Sequence, residues 1–156
     1  MIRILKERVV LWSVSFAAPV EYVVSAESLG RTHQIAFDMM FKLTDADAIV
    51  PLWDRVHSVL LGERDKNDTR LESQIMASII FPLAKDWEGV GPKDGDGALA
   101  YTQDNLAALF RTYPSAFLAC YQAYVAAYNG RVETRAGNLE PLPGEPSEVS
   151  EAAAAA

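Results

Sequence analysis

HQIAFDMMFKL, residues 33–43, alternates without a break. Ile35, Phe37, Met39, Phe41 and Leu43 project to one side and Asp38 and Lys42 to the other, the period-two pattern of a strand with one buried face. RVVLWSVSF, residues 8–16, supplies a partner: Val10, Trp12, Val14 and Phe16 share one side, Val9, Leu11, Ser13 and Ser15 the other. A short β-prone run, Tyr22-Val23-Val24, and a turn at Ser28-Leu29-Gly30 fall between them. Two or three antiparallel strands with one apolar face require a cover.

Helices provide it. Thr44 reads as an N-cap, with Asp45 and Asp47 in the first turn where carboxylates favour the positive end of the helix dipole. Ile49, Leu52, Trp53, Val56 and Leu60 then recur at helical spacing, with Pro51 marking the start or a kink. A second amphipathic segment runs from about 69 to 81, carrying Leu71, Ile75 and Ile79, and Pro82 ends or bends it. Thr102 caps a third helix bearing Leu106, Leu109 and Phe110. Pro114 opens a fourth with Phe117, Cys120, Tyr121, Tyr124 and Tyr128 on one stripe, and Asn129-Gly130 closes it. From about 137 the chain turns to Pro, Glu, Ser and Ala with no periodicity, which reads as a disordered acidic tail. The predicted fold is α+β: a small N-terminal antiparallel sheet of two to three strands packed with about four helices. One domain spans 1–136, its sheet part about 1–43 and its helical part about 44–136, and a flexible tail covers 137–156.

The 156 residues suffice for one domain with a real core, and half of them are hydrophobic. A net charge of −7 with scattered basic residues excludes a nucleic-acid surface, which needs clustered Lys and Arg. No segment approaches the ~20 apolar residues of a membrane span. The first 20 residues imitate a secretory signal, but Glu7 breaks the basic region and Trp12, Ser13 and Ser15 break the apolar run. The single Cys120 forbids an internal disulfide and, among apolar neighbours, reads as a small core residue.

Signatures of chemistry fail one by one. The sequence holds no Cys pair, no H-E-x-x-H, no G-x-S-x-G and no Walker A loop. Asp94-Gly95-Asp96-Gly97 suggests calcium, but neither register of an EF-hand places oxygen ligands where the loop needs them. His33 and His57 have no converging partners by spacing; His57, four residues after Trp53, is placed to stack on it. The expectation is a protein without metal, cofactor or catalytic residues. The aromatic surplus of the last helical region, Tyr113, Phe117, Tyr121, Tyr124 and Tyr128, divides between a core and a partner-binding face.

DWEGVGPKDGDGALAYTQDNL, residues 86–106, remains. Trp87, Gly89, Asp94 and Gly95 read as a structural turn at the join of the two halves, and Thr102 restarts the chain as a helix. With the Ala- and Tyr-rich helix that follows, this stretch resembles the C-terminal half of tail assembly chaperones of long-tailed bacteriophages. The matching elements are Trp87-Glu88-Gly89-Val90, Asp94-Gly95-Asp96-Gly97, Leu99-Ala100-Tyr101, Thr102-Gln103-Asp104-Asn105-Leu106 and residues 114–129. The likeness covers roughly residues 8–130. It implies a non-enzymatic protein of the host cytoplasm that binds the tape-measure protein, helps recruit tail-tube subunits, and is able to self-associate. A structural tail or head–tail connector protein retained in the virion is the alternative.

Overall fold

The computed structural model describes residues 1–4, 6–21, 30–92 and 95–130. The expected run at Tyr22-Val23-Val24, Ser28 and Leu29 of the turn before Gly30, Asp94 and the acidic tail lie outside the described residues. The elements, in order, are β1 (Arg8–Pro19), β2 (Thr32–Leu43), α1 (Ile49–Leu60), α2 (Glu72–Ile80), β3 (Ala84–Glu88), α3 (Gln103–Thr112) and α4 (Ser115–Asn129). Short 3-10 turns at Ala46–Ala48 and Phe81–Leu83 lead into α1 and β3. The architecture is α+β.

The alternating runs do what their pattern dictates. β1 and β2 pair antiparallel along their whole length, with Trp12 opposite Met39 and Val14 opposite Phe37. Val14, Phe16, Ala18, Phe37, Met39, Phe41 and Leu43 are buried on the inner face, while Val9 and Leu11 on the outer face stay half exposed. β3 joins the far side of β2, with Met39 opposite Trp87 and Asp38 opposite Glu88, and a bulge breaks the register at Met40/Phe41. The strand order is β1-β2-β3. The third strand therefore comes from residues inside the stretch that the sequence assigns to helices. Its side chains alternate little, and pairing with β2 defines it.

The helices cover the inner face. α4 packs chiefly beneath β1, while α2 packs on α3. Four alanines of α4, Ala116, Ala119, Ala123 and Ala127, are buried. Their small side chains let the helix approach the sheet closely. Cys120 sits with its Sγ 3.7 Å from the Met39 Sδ, and the ring of Tyr124 meets that of Phe41 edge-on at 5.5 Å.

Two details shift from the expected helix starts and faces. The cap before α1 is Asp45, not Thr44: the Asp45 Oδ1 accepts from the Asp47 N–H at 2.9 Å. Its 3-10 turn carries the chain into α1, so Pro51 falls in the first turn, where a missing N–H costs nothing. The buried face of α1 is Leu52, Val56 and Val59, which leaves Trp53 and Leu60 outside the core. Likewise Leu71 stands exposed as the N-cap of α2, its N–H held by the Gln74 Oε1 at 2.9 Å.

Candidate functional site

The turn residues hold the two halves of the chain together. Trp87 lies on β3 rather than in the turn itself, and it is buried. Its ring meets Phe37 edge-on at 6.2 Å and Tyr101 at 5.2 Å. The Tyr101 ring stacks on Phe81 at 4.9 Å, and its hydroxyl donates to the Phe81 carbonyl oxygen at 2.9 Å. Burial pushes the Tyr101 phenol well above its ordinary range, with a smaller contribution from Cys120. Gly89, at φ +90, turns the chain off β3 in a conformation that a side chain rarely adopts. Gly95 also has positive φ. The Thr102 Oγ1 accepts from the Asn105 N–H at 3.1 Å, which caps α3 as its spacing predicted.

The five aromatic residues singled out near α4 separate into two groups. Phe117 and Tyr124 are buried, and the Phe117 ring packs edge-on against Phe110 at 5.7 Å. They are core residues, which removes them from any exposed face. Tyr113, Tyr121 and Tyr128 lie at the rim, each half-buried. Tyr113 packs on Phe16 at 5.5 Å. The Arg8 guanidinium stands 5.6 Å from the centre of the Tyr128 ring. Tyr121 leans on Trp53 at 5.3 Å, and burial raises its phenol above the ordinary value.

Trp53 leads to a surface that sequence reasoning missed. The residues Val50, Trp53, His57 and Leu60 follow one another at steps of three, four and three, so they share one side of α1. That side faces away from the core. Val50 is 68% and Trp53 38% exposed, and Leu60 and Leu61 are exposed as well. Trp53 and His57 stack, with ring centres 5.1 Å apart and planes 19° from parallel. Together with Tyr121 they form an apolar and aromatic stripe one helix long. The signal was present in the sequence: α1 has apolar residues on more of its circumference than one buried face can use.

Other groups are occupied structurally. Cys120 is fully buried, and burial raises its thiol far above the ordinary value, so it stays a neutral packing group. Asp68 and Arg70 form an ion pair at 2.7 Å. The hydrogen bonds from the Arg70 side chain and backbone hold the Asp68 carboxyl down at about 2. This pair borders a depression of about 390 Å³ between α1 and α2, also lined by Asp54, Arg55 and Arg64. The Arg64 guanidinium donates to the Arg70 carbonyl oxygen, so these charges fasten the connection between the two helices. Among the described residues no three His, Cys, Asp or Glu side chains converge as a metal-holding group, and no helix is long and apolar enough to cross a membrane.

None of the family models, characterised proteins or solved structures compared with this chain matches it.

Proposed function

We propose that this protein is a tail assembly chaperone of a long-tailed bacteriophage, a non-enzymatic protein that acts in the host cytoplasm. Its client is the tape-measure protein, and it helps recruit tail-tube subunits during tail morphogenesis. The observation that carries the reading is the exposed stripe of Val50, Trp53, His57 and Leu60 beside Tyr121. A long helical client exposes apolar stripes of its own and aggregates unless they are covered. A rigid helix presenting an apolar and aromatic side suits helix-to-helix recognition, where anchors repeat at i, i+3 and i+7. Tryptophan and tyrosine give large contact area with few rotors to immobilise. The net charge of −7 keeps a loaded complex soluble. The resemblance of residues 86–110 to such chaperones supports the same reading. No cofactor or metal enters it.

Coexpression with the tape-measure protein of the same phage tests it. The wild type is expected to hold the client in the soluble fraction, and the double variant Val50→Asp/Trp53→Asp to lose it while remaining folded. A client equally soluble with either protein would count against the stripe.

A further inference from the structure

Among the described residues β1 is an edge strand, and it has no charged residue between Arg8 and Pro19. Edge strands of this length are commonly blunted by charges, an internal proline or a bulge, because their unpaired N–H and C=O groups recruit other strands. β1 carries none of these inside its span, and its pairing with β2 is regular throughout.

The free groups can be assigned. The Val20 N–H donates to the Arg31 carbonyl oxygen at 2.9 Å, in continuation of the β1–β2 register. Hydrogen-bonded and open pairs alternate in an antiparallel ladder, so the even-numbered residues of β1 bond to β2 and the odd-numbered ones point away from it. The Ser115 hydroxyl agrees: it donates to the Ala17 carbonyl oxygen at 3.4 Å, which fits an odd-numbered carbonyl that points away from β2. Among the described residues no backbone group bonds to the N–H or C=O of Val9, Leu11, Ser13 or Ser15 on that edge. Ser115 begins α4, Leu118, Gln122, Ala126 and Asn129 share its side of the helix at helical steps, and α4 contains no charged residue at all.

We propose that this edge docks a second copy of the chain, β1 pairing antiparallel with β1 about a two-fold axis normal to the sheet. Self-pairing is the arrangement the edge favours for three reasons. A two-fold normal to the sheet sets odd residues opposite odd ones, so the outward-pointing groups of one copy meet those of the other, with the Ala17 carbonyl oxygen shared with the Ser115 hydroxyl. It keeps the apolar inner face continuous across six strands. Centred near Ser13, it places the half-exposed Val9 and Leu11 against Ala17 and Ser15 of the other copy, in a region free of repelling charge. The size is adequate. A strand of about 40 Å and a helix of about 22 Å, each contributing a band about 10 Å deep, offer roughly 600 Å² per copy, the lower end of specific interfaces. The dimer is therefore expected to be concentration-dependent. The β1 edge is separate from the α1 stripe, so a monomeric chain would remove the expected self-association and leave client binding by the stripe intact.

Sedimentation of the full chain across micromolar to millimolar concentration tests it, with amide exchange read residue by residue. The expected result is a monomer–dimer equilibrium in which the Val9, Leu11, Ser13 and Ser15 amides gain protection as the dimer forms. Ser13→Pro removes a donor on the free edge and none of those bonded to β2, so it is expected to raise the dimer Kd roughly a hundredfold. Leu11→Lys, which keeps the backbone intact, is expected to act in the same direction and covers the case in which the proline variant does not fold. A chain monomeric at millimolar concentration would overturn the proposal. So would a dimer insensitive to Leu11→Lys, or protection of the odd amides that is independent of dilution, which would mean that another segment of the same chain covers the edge.

Discussion

The indole Nε1–H of Trp87 donates to the carbonyl oxygen of Leu99 at 2.8 Å. Eight residues beyond Gly91, Leu99 returns its own N–H to the Val90 carbonyl oxygen at 2.9 Å. One side chain thus closes the loop between β3 and α3 and fills the space under Phe37. Trp87→Phe keeps most of the bulk and loses the bond, with an expected cost of about 1–2 kcal/mol. Trp87→Ala also empties the site and is expected to cost about 3–5 kcal/mol. Urea denaturation of both variants checks the order. Equal costs would show that the bond, not the ring, holds the join.

The cap on α3 makes a smaller and separable contribution. Thr102→Ala leaves the Asn105 N–H without its side-chain acceptor and is expected to cost about 1 kcal/mol, while Thr102→Asp is expected to restore stability. Denaturation midpoints of the two variants at neutral pH decide it.

Across β2 and β3, Asp38 lies directly opposite Glu88. Like charges so placed repel, and a favourable pair in the same position is worth about 0.2–1 kcal/mol. Glu88→Lys is therefore expected to stabilise the fold by several tenths of a kcal/mol or more, with the gain shrinking in high salt. A loss of stability would mean that Glu88 serves another contact.

Alkali is expected to unfold the protein progressively. Burial raises the Cys120 thiol above its ordinary 9.0, and burial raises the Tyr101, Tyr121 and Tyr124 phenols above 10.0. Above those ordinary values the unfolded chain releases protons that the folded chain retains. Stability is then intact below about 9 and falls as pH rises from there toward the folded values. Cys120→Ala is expected to delay the onset to about 10, the range of the tyrosines. The urea midpoint followed against pH measures both.

What was legible in the sequence follows from how local its cause is. The faces of β1 and β2 were readable because alternation is written into adjacent residues, and the Thr102 cap and the left-handed Gly130 were readable because each acts within one helical turn. The Trp53–His57 stack follows from four-residue spacing alone. β3 was not readable: Ala84–Glu88 has three charged residues in five, and it is a strand because β2 presents an edge to it. The face of α1 was misread by one position, since Val59 and Leu60 satisfy the spacing equally well and only the neighbouring helices choose between them. The candidate surface was half legible for the same reason. Phe117 and Tyr124 in the core and Tyr121 and Tyr128 at the rim occupy one helical stripe, and the sequence does not say where the sheet cuts across it.

The measurement that bears most directly on function is quantitative mass spectrometry of this protein in its native infected or induced host, lysate against purified particles. A tail assembly chaperone is expected to be abundant in the lysate and absent from finished particles. Stoichiometric presence in the particles would contradict the account and make the protein a structural component of the virion.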